Sequence, residues 1–144
     1  MDSELRKKVR LRWLESLFEL SHYDFQRKVW LEAGVENYVS DYAEAVCTYF
    51  DDLDLGNGLA KFVEEGFITE YEAKIYLEFH KQFEEYVDRP EKKALSDSKI
   101  LRDIEWINLT SLAKENWEKL KKVLIDKTEV DYVNELENKF ANVT

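Results

Sequence analysis

The chain has 144 residues, 44% hydrophobic and 14% aromatic, with a formal net charge of −10 and a pI near 4.8. This apolar content excludes disorder despite 36% charged residues, and a chain of this size buries roughly two-thirds of its unfolded surface, enough for a core without staples. A single cysteine excludes an intrachain disulfide, and with only two histidines it leaves no structural zinc site.

A reducing compartment follows from that cysteine usage. No apolar run of about seven residues follows the basic cluster Arg6, Lys7, Lys8, Arg10 and Arg12, so no cleaved signal peptide is expected. No run of about eighteen apolar residues exists to span a membrane. The expectation is a soluble cytoplasmic protein forming one domain over residues 1–144. The sequons Asn108-Leu109-Thr110 and Asn142-Val143-Thr144 then carry no meaning as glycosylation sites.

Helical periodicity runs nearly throughout, and few glycines and one proline favour long regular segments. The first predicted helix, Ser3 to Leu20, aligns Leu5, Val9, Trp13, Leu17 and Leu20, widened by Leu14 and Phe18. Ser21 and Asp24 are candidate caps for a short second helix with Phe25, Val29 and Trp30 inward, stopped at Gly34. The third, Glu36 to Asp52, follows a heptad through Val35, Val39, Tyr42, Val46, Tyr49 and Leu53. After a glycine turn, Leu59 to Glu65 predicts about two helical turns ending at Gly66.

Thr69-Glu70-Tyr71-Glu72 is a capping box, with Ile68 and Ala73 placed as a staple. The fifth helix runs from it to Val87 and buries Tyr71, Ile75, Tyr76, Phe79, Phe83 and Tyr86. Pro90 stops it, and a polar loop leads to a sixth helix, Asp97 to Ile125, weakest at Asn108–Ser111. Thr128 is the predicted cap of the last helix, which bears Val130, Val133, Leu136 and Phe140. Ala45–Phe50 and Phe67–Tyr71 are rich in β-branched and aromatic residues and are the alternatives as short strands. The expected fold is an all-α bundle of six or seven helices, the third, fifth and sixth forming its central layer.

Motifs of known chemistry fail on inspection. In Asp51–Gly58, every register of a calcium loop puts leucine, valine or phenylalanine at a ligand position. Glu19-Leu20-Ser21-His22 has the spacing of a di-iron ligand pair, but His80 has Leu77 where the second motif needs an acid. His80 and Glu84 share a helix face as an ordinary i,i+4 pair. Cys47 reads as a small core residue with no basic neighbour to activate it. No phosphate-binding, nucleophile-elbow or zinc-protease motif is present. No catalytic, cofactor or metal residue is therefore assigned.

Charge distribution points to a partner instead. Residues 31–90 hold fifteen acids, four basic residues and six of the eight tyrosines, a net charge of −11. Nucleic acid is disfavoured, since phosphate contacts need a basic face. The basic side of the first helix is placed to face these acids, through Arg6, Lys8 and Arg12. A basic protein partner is expected, steered by opposite potential. Asp41, Glu44, Asp51, Asp52 and Asp54 are the expected contacts, with Tyr38 and Tyr49 as aromatic anchors. In size and charge the chain resembles the neutralising partners of nuclease-type toxins, which implies an immunity or antitoxin role. Two alternatives stand: a homo-oligomeric structural subunit joined through Trp13, Trp30 and Trp106, and an enzyme for a small cationic substrate in an acid-lined pocket.

Overall fold

The computed structural model describes residues 2–32 and 38–140. Helix α1 (Ser3–Ser21) starts where the Asp2 carboxylate accepts from the Glu4 N–H at 3.0 Å. Trp13, Leu14, Leu17, Phe18 and Leu20 are buried as the stripe predicts, but Leu5 is 49% exposed because the first turn projects beyond the core. Arg10 is buried on the same helix.

The chain turns at His22 into α2 (Tyr23–Leu31), with Phe25, Val29 and Trp30 inward. Neither predicted cap acts there: the Ser21 hydroxyl donates back to the Phe18 carbonyl at 3.2 Å. Gln26 fixes the corner instead. Its Nε2 donates to the Glu19 carbonyl at 2.8 Å, and its Oε1 accepts from Trp106 Nε1 at 3.0 Å. The expected stop at Gly34 and the positions of Val35 and Glu36 lie outside the described residues.

Helix α3 (Tyr42–Cys47) is shorter than expected. Asp41 caps it by accepting from Glu44 N–H at 2.7 Å, which sets the start later than the heptad implied. Val39 precedes the cap and is 90% exposed, so the heptad extends across a segment that is not helical. A π-helical turn, Thr48–Asp52, continues α3 and is followed by a 3-10 turn, Leu55–Asn57. Gly58, with φ +98°, then opens α4 (Leu59–Glu64), which Gly66 ends at φ +85°.

Both hydrogen bonds of the Thr69–Glu72 capping box are present at the start of α5 (Glu70–Asp88). Tyr76, Phe79, Phe83 and Tyr86 are buried, whereas Tyr71 is 61% exposed on the first turn. Pro90 ends α5 and also begins α6 (Pro90–Lys93), a helical turn within the expected loop, where its missing N–H costs nothing. The predicted sixth helix is two, α7 (Asp97–Arg102) and α8 (Ile104–Val123). They part at Asp103, an extended residue whose carboxylate caps α8, and not at Asn108–Ser111. Asp126 caps α9 (Lys127–Phe140), accepting from Thr128 N–H at 2.8 Å in place of the predicted Thr128 cap.

The described residues are all-α, with nine helices and no strand; the turn after Pro90 and the break at Asp103 account for the two beyond seven. Ala45–Phe50 is helical, and Phe67–Tyr71 forms only the lead-in to α5. Helix α8 packs between α1 and α5, with α9 against α1 and α2 against α7. The centre is therefore α1, α5 and α8, since α3 is too short to take the place expected of it. Trp13, Trp106 and Trp117 lie in that core at 0–1% exposure.

Candidate protein-binding surface

The acidic segment is held against α5 by two aromatic residues of the π turn. Tyr49 and Phe50 sit 5.1 and 4.9 Å from the Phe83 ring, and the Tyr49 hydroxyl is 2.7 Å from His80 Nδ1. Aromatic pairs at this spacing add roughly 0.5–1.5 kcal/mol beyond area burial.

Asp41, Glu44, Asp51, Asp52 and Asp54 are all exposed. Asp52 meets Arg12 at 3.9 Å, an exposed and weak pair. Asp51 accepts from the Cys47 thiol at 3.5 Å, and Asp54, at φ +59°, shapes the turn toward Gly58. Among the described residues Asp41, Glu44, Asp51 and Asp54 have no cation within ion-pair distance. The same holds for Glu78, Glu84, Glu85 and Asp88 on α5.

The aromatic anchors fare differently. Tyr49 is 1% exposed and cannot touch a partner in this conformation, because its heptad position faces the core. Tyr38 is half-buried, with its ring edge-on to Phe25 and Phe140 at 5.3 and 5.6 Å.

A cleft of about 320 Å³ lies between α1 and α3, lined by Glu15, Glu19, Glu44 and Asp52 with Arg12 and Tyr38. At 7% exposure, Glu19 is its most buried acid. Its Oε2 accepts from Trp30 Nε1 and from the Ser40 hydroxyl, each at 2.8 Å. Burial raises the Glu19 pKa, against these two bonds. Glu19 and His22, read from sequence as a spaced pair, face separate surroundings: His22 Nδ1 is 2.8 Å from the Phe18 carbonyl. Nothing in the local pattern marked Glu19 as a cleft residue, since its partners come from α2 and the segment before α3.

His80 pairs with Tyr49 rather than Glu84, and burial lowers its pKa. Cys47 is exposed and not a core residue, because α3 turns it away from Ala45 and Tyr49. Of the three α1 cations expected to face the acidic region, Arg12 reaches Asp52 and Arg6 Nε donates to the Gly66 carbonyl at 2.9 Å, whereas Lys8 is exposed. The stronger link is Arg10, buried between Glu72 and Glu129. Its place within a run of basic residues hides this role in the sequence.

Among the described residues no group of three or more His, Cys, Asp or Glu is placed to hold a metal ion, and no helix is long and apolar enough to cross a membrane. Comparison with family models, curated proteins and solved structures gives no match for this chain.

Proposed function

We propose that the chain is a small binding module whose α3, π-turn and α5 face captures a basic protein, as an inhibitor or immunity protein does with a basic toxin. What supports this reading is the run of carboxylates at Asp41, Glu44, Asp51 and Asp54, exposed and, among the described residues, with no cation within ion-pair distance. Such a field raises association rates and disfavours acidic partners. The test is the association rate of a partner recovered from the native host, measured at rising salt. Asp41→Asn, Glu44→Gln and Asp51→Asn together slow it about tenfold at low salt and flatten its salt dependence. An unchanged rate overturns the reading.

A second reading, an enzyme or receptor for a small cation, is favoured by the cleft that holds Glu19. Titration with a short diamine tests it, and no saturable heat removes it. The homo-oligomer alternative loses its aromatic interface, since Trp13, Trp30 and Trp106 are 0%, 7% and 1% exposed. Light scattering of the purified chain checks for self-association through other surfaces.

A further inference from the structure

A cavity of about 650 Å³ opens where the α1–α2 corner meets α8 and the end of α9. It shares no lining residue with the acidic cleft and falls within the roughly 300–1,000 Å³ of small-ligand sites. Its apolar wall is aromatic. Phe140 lies 5.7 Å from Phe18 and 4.8 Å from Phe25, and Phe18 stacks on the His22 ring at 4.0 Å.

The polar atoms of the wall fall into two groups. Asp24 and Glu137 each have a cation, Arg27 at 3.8 Å and Lys121 at 2.9 Å. Lys114 Nζ stands 3.5 Å from His22 Nε2, and its carboxylate partner Glu118 is shared with Lys121. Thr110 is 3% exposed, and its hydroxyl has no hydrogen-bond partner.

His22 settles what chemistry is absent. Nδ1 faces the Phe18 carbonyl at 2.8 Å, an acceptor only, so Nδ1 carries the proton and Nε2 is bare. Ser21 Oγ lies 2.9 Å from that same protonated nitrogen, so His22 cannot take its proton, and Ser21 is not an activated nucleophile. The donor capacity left in the wall is the unpartnered Thr110 hydroxyl and the third N–H of the Lys114 ammonium, whose other contacts are Glu118 at 2.9 Å and His22 Nε2 at 3.5 Å.

We propose that this cavity binds a small planar aromatic acid, its ring against Phe18, Phe25 and Phe140 and its carboxylate on Lys114, with the Thr110 hydroxyl turned toward it. An aromatic ring matches the wall, and the anionic head takes the place of a long ammonium–imidazole contact. The acid also sits beside His22 and stabilises its protonated form.

The test titrates the full chain with 2-naphthoate while following the His22 imidazole by NMR, with 2-naphthylmethylamine as the cationic control. Saturable shifts at His22, an upward move of its titration midpoint, and no comparable binding of the amine are expected. Lys114→Met, at a side chain 43% exposed, keeps the folded amide spectrum and binds 2-naphthoate at least tenfold more weakly. Absence of saturation, equal binding of the amine, or unchanged affinity in Lys114→Met overturns the proposal.

Discussion

Arg10 on α1 grips both carboxylate oxygens of Glu72 on α5, with Nη1 at 2.9 Å from Oε1 and Nη2 at 2.8 Å from Oε2. The same guanidinium reaches Glu129 on α9 at 2.6 and 2.9 Å and the Phe67 carbonyl at 2.9 Å. Arg10, Glu72 and Glu129 are each 4–5% exposed. One planar fork thus ties together three helices that are far apart in sequence.

Replacing Arg10 leaves two carboxylates buried together. Removing one partner of a buried pair costs about 3–5 kcal/mol, and Arg10→Met is expected in that range by urea denaturation at pH 7. The pH dependence also changes sign. Burial alone would raise the Glu72 pKa, but its bonds to Arg10 and the Thr69 backbone hold it below the ordinary 4.5. Its stabilising contribution is therefore present above pH 4.5 and lost as pH falls through the lower folded value. In Arg10→Met the two acids repel and Glu72 loses the bonds that offset its burial, so its pKa rises and the variant recovers stability on acidification from pH 7 toward 5. A deficit that does not shrink with acidification contradicts the account.

Glu72 also closes the capping box. Its Oε1 accepts from Thr69 N–H at 2.9 Å, and the Thr69 hydroxyl accepts from Glu72 N–H at 3.0 Å. Thr69→Ala is expected to cost about 1 kcal/mol. Because the box and the Arg10 bridge use the same carboxylate, Thr69→Ala and Arg10→Met are expected to be non-additive by about 0.5 kcal/mol or more. A double-mutant cycle measures that term, and strict additivity rejects the coupling.

Local rules found the features that depend on a few neighbouring residues. The Thr69–Glu72 box, the Gly66 stop, the Pro90 stop and the apolar stripes of α1, α2 and α5 are of this kind. The errors arise where distant residues decide. Val39 fits a heptad, but Asp41 offers a better start, so the periodic pattern runs past the helix. Asp103 breaks the expected sixth helix because its carboxylate accepts from Tyr86 at 2.8 Å and from Lys92 at 2.6 Å while capping α8. Arg10 and Glu19 look solvated in sequence, since their partners are supplied by other helices. The exposure of Glu44, Asp51 and Asp52 is legible from their place off the apolar stripe, and so is the inward direction of Tyr49, which lies on it.

Cys47 offers a check on the acidic segment itself. Its thiol is exposed, yet the hydrogen bond to Asp51 and the neighbouring carboxylates push its pKa up. Thiolate is the reactive form, so alkylation by iodoacetamide at pH 8 is expected to be slower than for a free cysteine. Asp51→Asn removes the anion at 3.5 Å and is expected to speed the reaction several-fold. An equal rate in the two proteins means that the pair does not persist in solution.

His22 provides the pH signature nearest neutrality. Burial drives its pKa down from 6.5 to about 4, against the raising effect of the Phe18 carbonyl bond, and the Lys114 ammonium adds to the fall. The unfolded chain takes up a proton near pH 6.5 while the folded chain does not until about 4. Stability is therefore full above pH 6.5, declines between 6.5 and 4, and levels off below, as far as this group is concerned. The ring is partly accessible, so the decline attributable to it is about 1–3 kcal/mol. His22→Gln keeps a donor for the Phe18 carbonyl and removes the titration. Urea midpoints of the two proteins at pH 7 and 5 are expected to converge as pH falls. Parallel loss in both would place the neutral-pH sensitivity elsewhere, with His80 the next group to replace, since burial lowers its pKa as well.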